Sequence, residues 1–415
     1  MTAGAIERLG ELANRDDWLV HRGRFLDVTL LIEIGPVPYL VRIHRGRIES
    51  IDKGPLVMPR WTFALRASEQ AWSTYWTAVP PPGFHDLIAM IKMRALKVEG
   101  DQQPFMANLR YFKDLLALPR ANAGGCQMKA QDKADFEPIV GRYLRLAIGG
   151  KSHRLYIEEA GQGIPLLCLH TAGADSRQYR ALFNDREILQ RFRVIAFDLP
   201  WHGKSSPPAG WQKGEYKLTW RAYVDTIMAV VQALSLDKPV VIGCSIGGRV
   251  VLHLALEHAK RFRALIGLES GAHADPYYDL GWLHRPDVHG GEVCGGLVSG
   301  LIAPTAPEAD RWETIWHYMQ GGPGVFKGDL HYYTSDGDVR ERVAAIDTKD
   351  CPLYFLTGEY DYSCSPADTH DLAGRIKGAH VTIMEGLGHF PVSEDPPRFL
   401  TYLRPVLKRI LAEDK

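Results

Sequence analysis

The chain has 415 residues, more than one hydrophobic core usually organises, so two domains are expected. Lys plus Arg and Asp plus Glu stand at 49 each, so no overall field draws the chain to nucleic acid or an anionic membrane. Six scattered cysteines lack metal-type CxxC spacing, no run reaches the roughly 18 apolar residues that span a bilayer, and the acidic opening "MTAGAIERLGELANRDDWLV" is no secretory signal; a cytoplasmic protein without membrane insertion is expected.

The first 120 residues have a pattern of their own. "LDVTLLIEIG" repeats Leu26, Val28, Leu30, Ile32 and Ile34 at period two, predicting a strand with one buried face. "YLVRIHRGRIESI" follows, with Arg45-Gly46 as the predicted hairpin turn. A helical stretch surrounds Trp72, Tyr75 and Trp76, and "ALKVEGD" is a further strand. "QPFMANLRYFKDLLAL" places Phe105, Leu109, Phe112 and Leu116 on one helical face. Together these predict an α+β domain over 1–120, followed by a small, polar linker over 121–137. Few contacts are expected across that boundary, so that a chain starting near Phe136 should fold alone.

From residue 138 the rhythm changes. "VGRYLRLAI" and "HRLYIEEAG" predict paired strands. The apolar runs "PLLCLH", "RVIAFDLP", "PVVIGCS", "ALIGLES" and "CPLYFLTGE" then alternate with helical patterns, which indicates βαβ units and a mostly parallel sheet covered on both faces. Between about 272 and 345 a segment dense in Trp, Tyr, His and Gly interrupts the alternation; an insertion of that length is expected to be a lid or binding element.

Gly243-Cys244-Ser245-Ile246-Gly247 is G-x-S-x-G between a strand and a helical pattern, the setting of a serine raised on a tight turn. The helix N-terminus behind Ser245 favours negative charge. The competing reading is a tight strand–helix turn without chemistry. A serine hydroxyl needs a base, and of 16 histidines His389 follows the final predicted strand, in "VTIMEGLGHFPVSEDP". His170, His253 and His258 read as helix or loop residues with other roles. The base needs an acid to hold its tautomer, and Asp361 lies in the loop after the penultimate strand, 28 residues before His389.

Four segments in this order resemble the α/β-hydrolase superfamily over residues 138–415: "LLCLHTAGA" (166–174), "FDLPWHGKSS" (197–206), "IGCSIGG" (242–248) and "GEYDYSC…GLGHFPVSEDP" (358–396). The resemblance implies an α/β-hydrolase fold with an inserted lid, preceded by the smaller α+β domain. It implies Ser245 as nucleophile, Asp361 as acid and His389 as base, with Glu269 at a position where some relatives carry the acid. It also implies two oxyanion donors, the N–H of Ile246 and one in the His170 loop. Ala172 is the expected second donor, but the family's usual His-Gly is His170-Thr171 here, which leaves Thr171 as the alternative. Asp198 is expected to shape its loop and Cys244 to pack; no cofactor and no metal are implied.

Serine at the turn excludes chemistry that needs a carboxylate nucleophile, leaving acyl transfer to water or carbon–carbon cleavage of a ketone. The insertion's aromatics, Tyr277, Tyr278, Trp282, Trp312, Trp316, Tyr318, Tyr332 and Tyr333, form either its own small core or an apolar pocket. The candidate pocket residues are Thr171, Trp282, Trp312, Trp316 and Phe390. The expected function is therefore hydrolysis of a carboxylic ester, or related acyl bond, of a small apolar substrate. Alternatives are a carbon–carbon hydrolase and a low-turnover ligand sensor on the same fold. "GHFPVSEDP" lacks the tryptophan that carbon–carbon hydrolases of ring-cleavage products commonly carry after the histidine. Homo-oligomerisation is left open. Residues 20–118 resemble the sterol-carrier-protein-like family, implying a tunnel for an apolar ligand; the alternative is a domain that packs on the hydrolase or mediates dimerisation.

Overall fold

The computed structural model describes residues 2–120 and 135–412, so most of the predicted linker lies outside the described residues. The first sheet comprises β1 (Asp27–Ile34), β2 (Val37–His44), β3 (Arg47–Lys53), β4 (Phe63–Ala67) and β5 (Leu96–Gly100), in the order β3-β2-β1-β4-β5. Only β1 and β4 pair in parallel. Arg45 and Gly46 make the β2–β3 turn with φ of 47° and 77°, the positive pair that a two-residue hairpin turn requires. The predicted period-two face of β1 is buried, and Phe63, Trp72, Phe105 and Phe112 fill the core. The single helix expected over 103–118 breaks at Asn108, φ −122° and ψ 32°, into Gln103–Ala107 and Leu109–Ala117. Phe105, Leu109, Phe112 and Leu116 nevertheless stay buried together.

The second sheet has eight strands: β6 (Val140–Ile148), β7 (Lys151–Ala160), β8 (Ile164–Leu169), β9 (Phe192–Phe197), β10 (Val240–Cys244), β11 (Ala264–Leu268), β12 (Leu353–Gly358) and β13 (His380–Met384). Their order is β13-β12-β11-β10-β8-β9-β7-β6, antiparallel at β6–β7 and β7–β9 and parallel elsewhere. The apolar runs are explained by two cores, one on each face. Val241 of β10 joins Tyr223, Ile227 and Val250, whereas Val240 and Ile242 join Phe183, Phe399 and Leu403. Parallel register puts the ends of β10, β11 and β12 side by side, and the loops after them carry Ser245, Glu269 and Asp361.

Between β11 and β12 the chain inserts three helices, Gly290–Leu301, Glu308–Met319 and Val325–His331. The first is rich in glycine, and the first domain packs directly on it. A Cβ on Gly296 would stand 3.1 Å from Leu109, and one on Gly300 would collide with the Asp86 carboxylate. Into this close approach Lys113 extends a buried ammonium, 2.9 Å from Asp86 Oδ2 and donating to Gly296 O at 2.6 Å. Burial pushes the Lys113 pKa down, against the pull of Asp86. The expectation of few contacts across the boundary is thereby corrected. One apolar cluster runs from the first domain into the insertion, through Leu109, Val293 and Leu297. A chain starting near Phe136 would expose this face of the insertion. Among the described residues, no helix is long and apolar enough to cross a membrane.

Lys113→Met keeps most of the side-chain volume but strands a buried carboxylate, a loss of roughly 3–5 kcal/mol. Urea unfolding followed by circular dichroism measures it, and a loss below about 1 kcal/mol would contradict a structural role for this pair.

Candidate active site

Ser245 stands between β10 and the helix Ile246–His258 with φ 58° and ψ −109°, a left-handed geometry that costs a residue with a Cβ about 1–3 kcal/mol. Its N–H donates to Leu268 O at 3.0 Å, tying the turn to β11. The neighbours have no room for side chains: a Cβ on Gly243 would strike Gly247 O, and one on Gly247 would lie 2.5 Å from Leu169 O. Cys244 points away from the cavity, its thiol reaching His389 O at 3.4 Å, as its expected packing role requires.

His389 Nδ1 donates to Asp361 Oδ2 at 2.7 Å, both residues being buried, so the lone pair of this ring lies on Nε2. The His389 loop is fixed from two sides. The Glu394 carboxylate accepts the N–H groups of Gly388 and Phe390, and His389 N–H donates to Leu301 O, at 2.9 Å, at the end of an insertion helix. Asp361 Oδ1 accepts Ser363 N–H at 2.7 Å and Cys364 N–H at 3.1 Å. Burial works against the Asp361 charge, but the facing His389 and these donors hold its pKa below the ordinary value.

Glu269, the competing acid, lies in the same cluster at φ 52°. Both its oxygens accept Gly358 N–H at 3.0 Å, and its carboxyl is hydrogen bonded to Asp361. Full burial and the adjacent Asp361 charge push the Glu269 pKa well up. Two carboxyls in contact cannot both ionise cheaply, so Glu269 is the neutral donor and Asp361 the charged acceptor. Ligand atoms of Glu269, Asp361 and His389 lie within 4.8 Å of one another, a metal-like spacing. Hydrogen bonds already engage all three groups.

The loop after β8 is set by partners that the sequence reading missed. Thr171 N–H donates to Gln178 Oε1 at 2.9 Å and is therefore already engaged. Gly173 N–H donates to Asp329 Oδ2 at 2.7 Å, and that fully buried carboxylate comes from the insertion. Asp329 also faces His202 Nε2 at 2.7 Å and accepts Tyr216 Oη at 2.8 Å. Burial lowers the His202 pKa, but Asp329 and Pro200 O on its two nitrogens more than offset this and raise it. His170 is the opposite case: burial and the adjacent His202 bring it down to about 4. It stays neutral, donating from Nδ1 to Thr171 O and accepting Leu199 N–H on Nε2. Asp198 shapes its loop as expected, accepting Ser176 N–H and Lys204 N–H at 2.8 Å each.

Ser245, His389, Thr171, Ala172 and Phe390 line one cavity. Its remaining walls are largely tyrosine and leucine from the insertion: Tyr277, Tyr278, Tyr318, Tyr333, Leu297 and Leu301. Tyr318 Oη reaches Thr171 Oγ1 across the cavity, which keeps only about 40 Å³ open. The tryptophans do not line it, and this corrects three candidate residues. Helix Glu308–Met319 turns Ile315 and Tyr318 inward, so Trp312 and Trp316 fall on its other face, 43% and 57% exposed. They line a surface groove shared with Trp18 and Phe25 of the first domain. Trp282 is buried away from the cavity beneath the Arg285 guanidinium, 4.3 Å from its ring centre. Arg249, fully buried behind Ser245, was also missed; it donates to Gly271 O at 2.8 Å and to Tyr333 O. No spacing signal distinguishes it from a surface arginine.

Residues 164–287 match the family model described as the alpha/beta hydrolase fold. The chain carries an α/β-hydrolase segment. A thermophilic esterase from Thermogutta terrifontis superposes with a TM-score of 0.56 at 22% identity, over 65% of this chain and 99% of that one. An uncharacterized protein of Mycobacterium tuberculosis is 25% identical over 265 residues, 58% of this chain and 74% of its own length. A 2-hydroxymuconate semialdehyde hydrolase of Pseudomonas putida is 31% identical over 129 residues, 31% of this chain and 43% of its own.

The two acids of the α/β-hydrolase segment are separable by substitution. Gln at 269 keeps a neutral donor toward Asp361 and an acceptor for Gly358, so Glu269→Gln should hold aryl acetate turnover within about tenfold. Asp361→Asn removes the acceptor that fixes the His389 tautomer and should cost about 10⁴ in kcat. The reverse ranking would show that Glu269 is the working acid.

Proposed function

We propose that the α/β-hydrolase segment is a serine hydrolase cleaving a carboxylic ester, or a related acyl bond, of an apolar substrate. The observation that carries this reading is the 2.7 Å His389–Asp361 hydrogen bond at a cavity that also holds the strained Ser245. His389 Nε2 takes the Ser245 proton as Oγ attacks the carbonyl carbon, and Asp361 stabilises the imidazolium that forms. The tetrahedral oxyanion is held by Ile246 N–H, which as the first residue of its helix has no intrahelical acceptor, and by Ala172 N–H. The imidazolium then protonates the departing alcohol, and water, activated by the same ring, releases the acid from the acyl-enzyme.

Tyrosine and leucine walls suit an aromatic or alicyclic acyl group. About 40 Å³ does not accommodate one, so the insertion acts as a lid that moves for substrate to enter. A second reading, carbon–carbon cleavage of a ketone, is supported by the 31% identity to the Pseudomonas putida hydrolase. The two are told apart by relative kcat/KM on aryl esters and on a ring-cleavage ketone.

Ser245→Ala should abolish hydrolysis of both, by more than about 10³-fold, while the thermal transition stays intact. A fluorophosphonate should label the wild type and spare the variant. Activity retained within about tenfold, or equal labelling, would remove Ser245 from the nucleophile role.

A further inference from the structure

The first domain touches the loop that carries Asp361. Contacts with it come from the helix Leu87–Lys92 and the residues leading into it. Asp86 caps this helix by accepting Ile88 N–H at 2.8 Å and is held by Lys113, as described above. His85, buried and with its pKa lowered to about 4 by that burial, is neutral and uses Nε2–H on Gly300 O at 3.0 Å. Its ring packs against both neighbours of the acid, Tyr360 at 5.2 Å and 87° and Tyr362 at 5.8 Å and 54° between ring centres and planes.

At the far end of the helix, Lys92 Nζ donates to Tyr362 O and, at 3.1 Å, to Ser363 O. These carbonyls belong to the same two peptide groups whose N–H ends, on Ser363 and Cys364, donate to Asp361 Oδ1. An ammonium on the oxygen side and a carboxylate on the hydrogen side polarise each peptide in the same sense, so the bonds along the chain reinforce one another. The Lys92 ammonium also lies 5.0 Å from the ring centre of Tyr277, a wall of the cavity.

We propose that Lys92 is a positioning residue for the reaction, through which the first domain holds the Asp361 turn and the Tyr277 wall in working geometry. The first domain is thereby part of the catalytic apparatus without touching the reacting atoms. The proposal rests on the reading of Asp361 as the acid.

The test compares Lys92→Met, Lys92→Arg and Asp361→Asn in the full chain, with aryl acetate kinetics, thermal denaturation and hydrogen exchange. Lys92→Met keeps the stem and removes the donors. Its kcat should fall about 10- to 100-fold, the cost of a small misplacement at a reacting centre, with KM changed less than about threefold. Exchange at the Ser363 and Cys364 amides should speed up while the rest of the sheet stays protected. Lys92→Arg, which can serve both carbonyls and the ring, should recover most of kcat. Should Lys92→Met not fold, Lys92→Gln, which keeps one donor, is read by the same criteria. Unchanged kcat and exchange in Lys92→Met, with Asp361→Asn inactive, would overturn the positioning role and leave the acid assignment standing. An active Asp361→Asn would overturn the acid assignment itself. A kcat loss that Lys92→Arg fails to rescue, with exchange raised across the whole sheet, would mark Lys92 as merely structural.

Discussion

At Ser245 the chain leaves a fully buried strand and enters a helix through φ 58° and ψ −109°, within a single residue. Such a turn persists only where its surroundings leave no alternative. Here they are the flanking glycines, the bond from Ser245 N–H to Leu268 O, and β8 and β11 on either side of β10. Much of the neighbourhood follows from it. The helix must begin immediately, which leaves the N–H groups of its first turn without intrahelical partners beside the serine. Behind it, the buried Arg249 needs acceptors and finds Gly271 O and Tyr333 O, which ties the insertion to the same helix.

The remaining architecture manages buried charge. Asp361 stays ionised because every neighbour is a donor: His389, two backbone amides and the neutral Glu269. In the insertion, the buried Asp329 carboxyl faces His202 Nε2 and accepts from Tyr216 Oη and Gly173 N–H. Asp86 faces the buried Lys113 ammonium. Two of these clusters join segments far apart in sequence: Asp329 holds the insertion to the loop after β8, and Lys113, paired with Asp86 inside the first domain, donates to Gly296 O of the insertion.

Much of this was legible in the sequence where the physics is local. The β8–β12 strands announce themselves as continuous apolar runs because both faces are covered. Arg45-Gly46 announces a hairpin because a two-residue turn needs positive φ. Ser245, Asp361 and His389 stand out because each follows a strand in a parallel sheet, and such a sheet collects its loops at one edge. The rest depends on phase and distance. Trp312 and Trp316 are pocket candidates on composition, but helix phase turns Tyr318 inward and leaves them outside. Lys92, in "AMIKMRALK", reads as an ordinary surface lysine, and its acceptors lie 270 and 271 residues away. Asp329 and Gln178 carry no motif at all; folding alone gives them partners. The protonation of Glu269 is likewise a property of the cluster, not of the residue.

The proposed hydrolysis passes through a covalent acyl intermediate at Ser245. Rapid acid quench of the full chain during turnover of an aryl ester, followed by peptide mass spectrometry, tests this directly. An added acyl mass should appear on the peptide containing Ser245 within the first turnover and decay as the ester is exhausted. Single-turnover hydrolysis without any acylated peptide, or with the acyl mass on another residue, would contradict it.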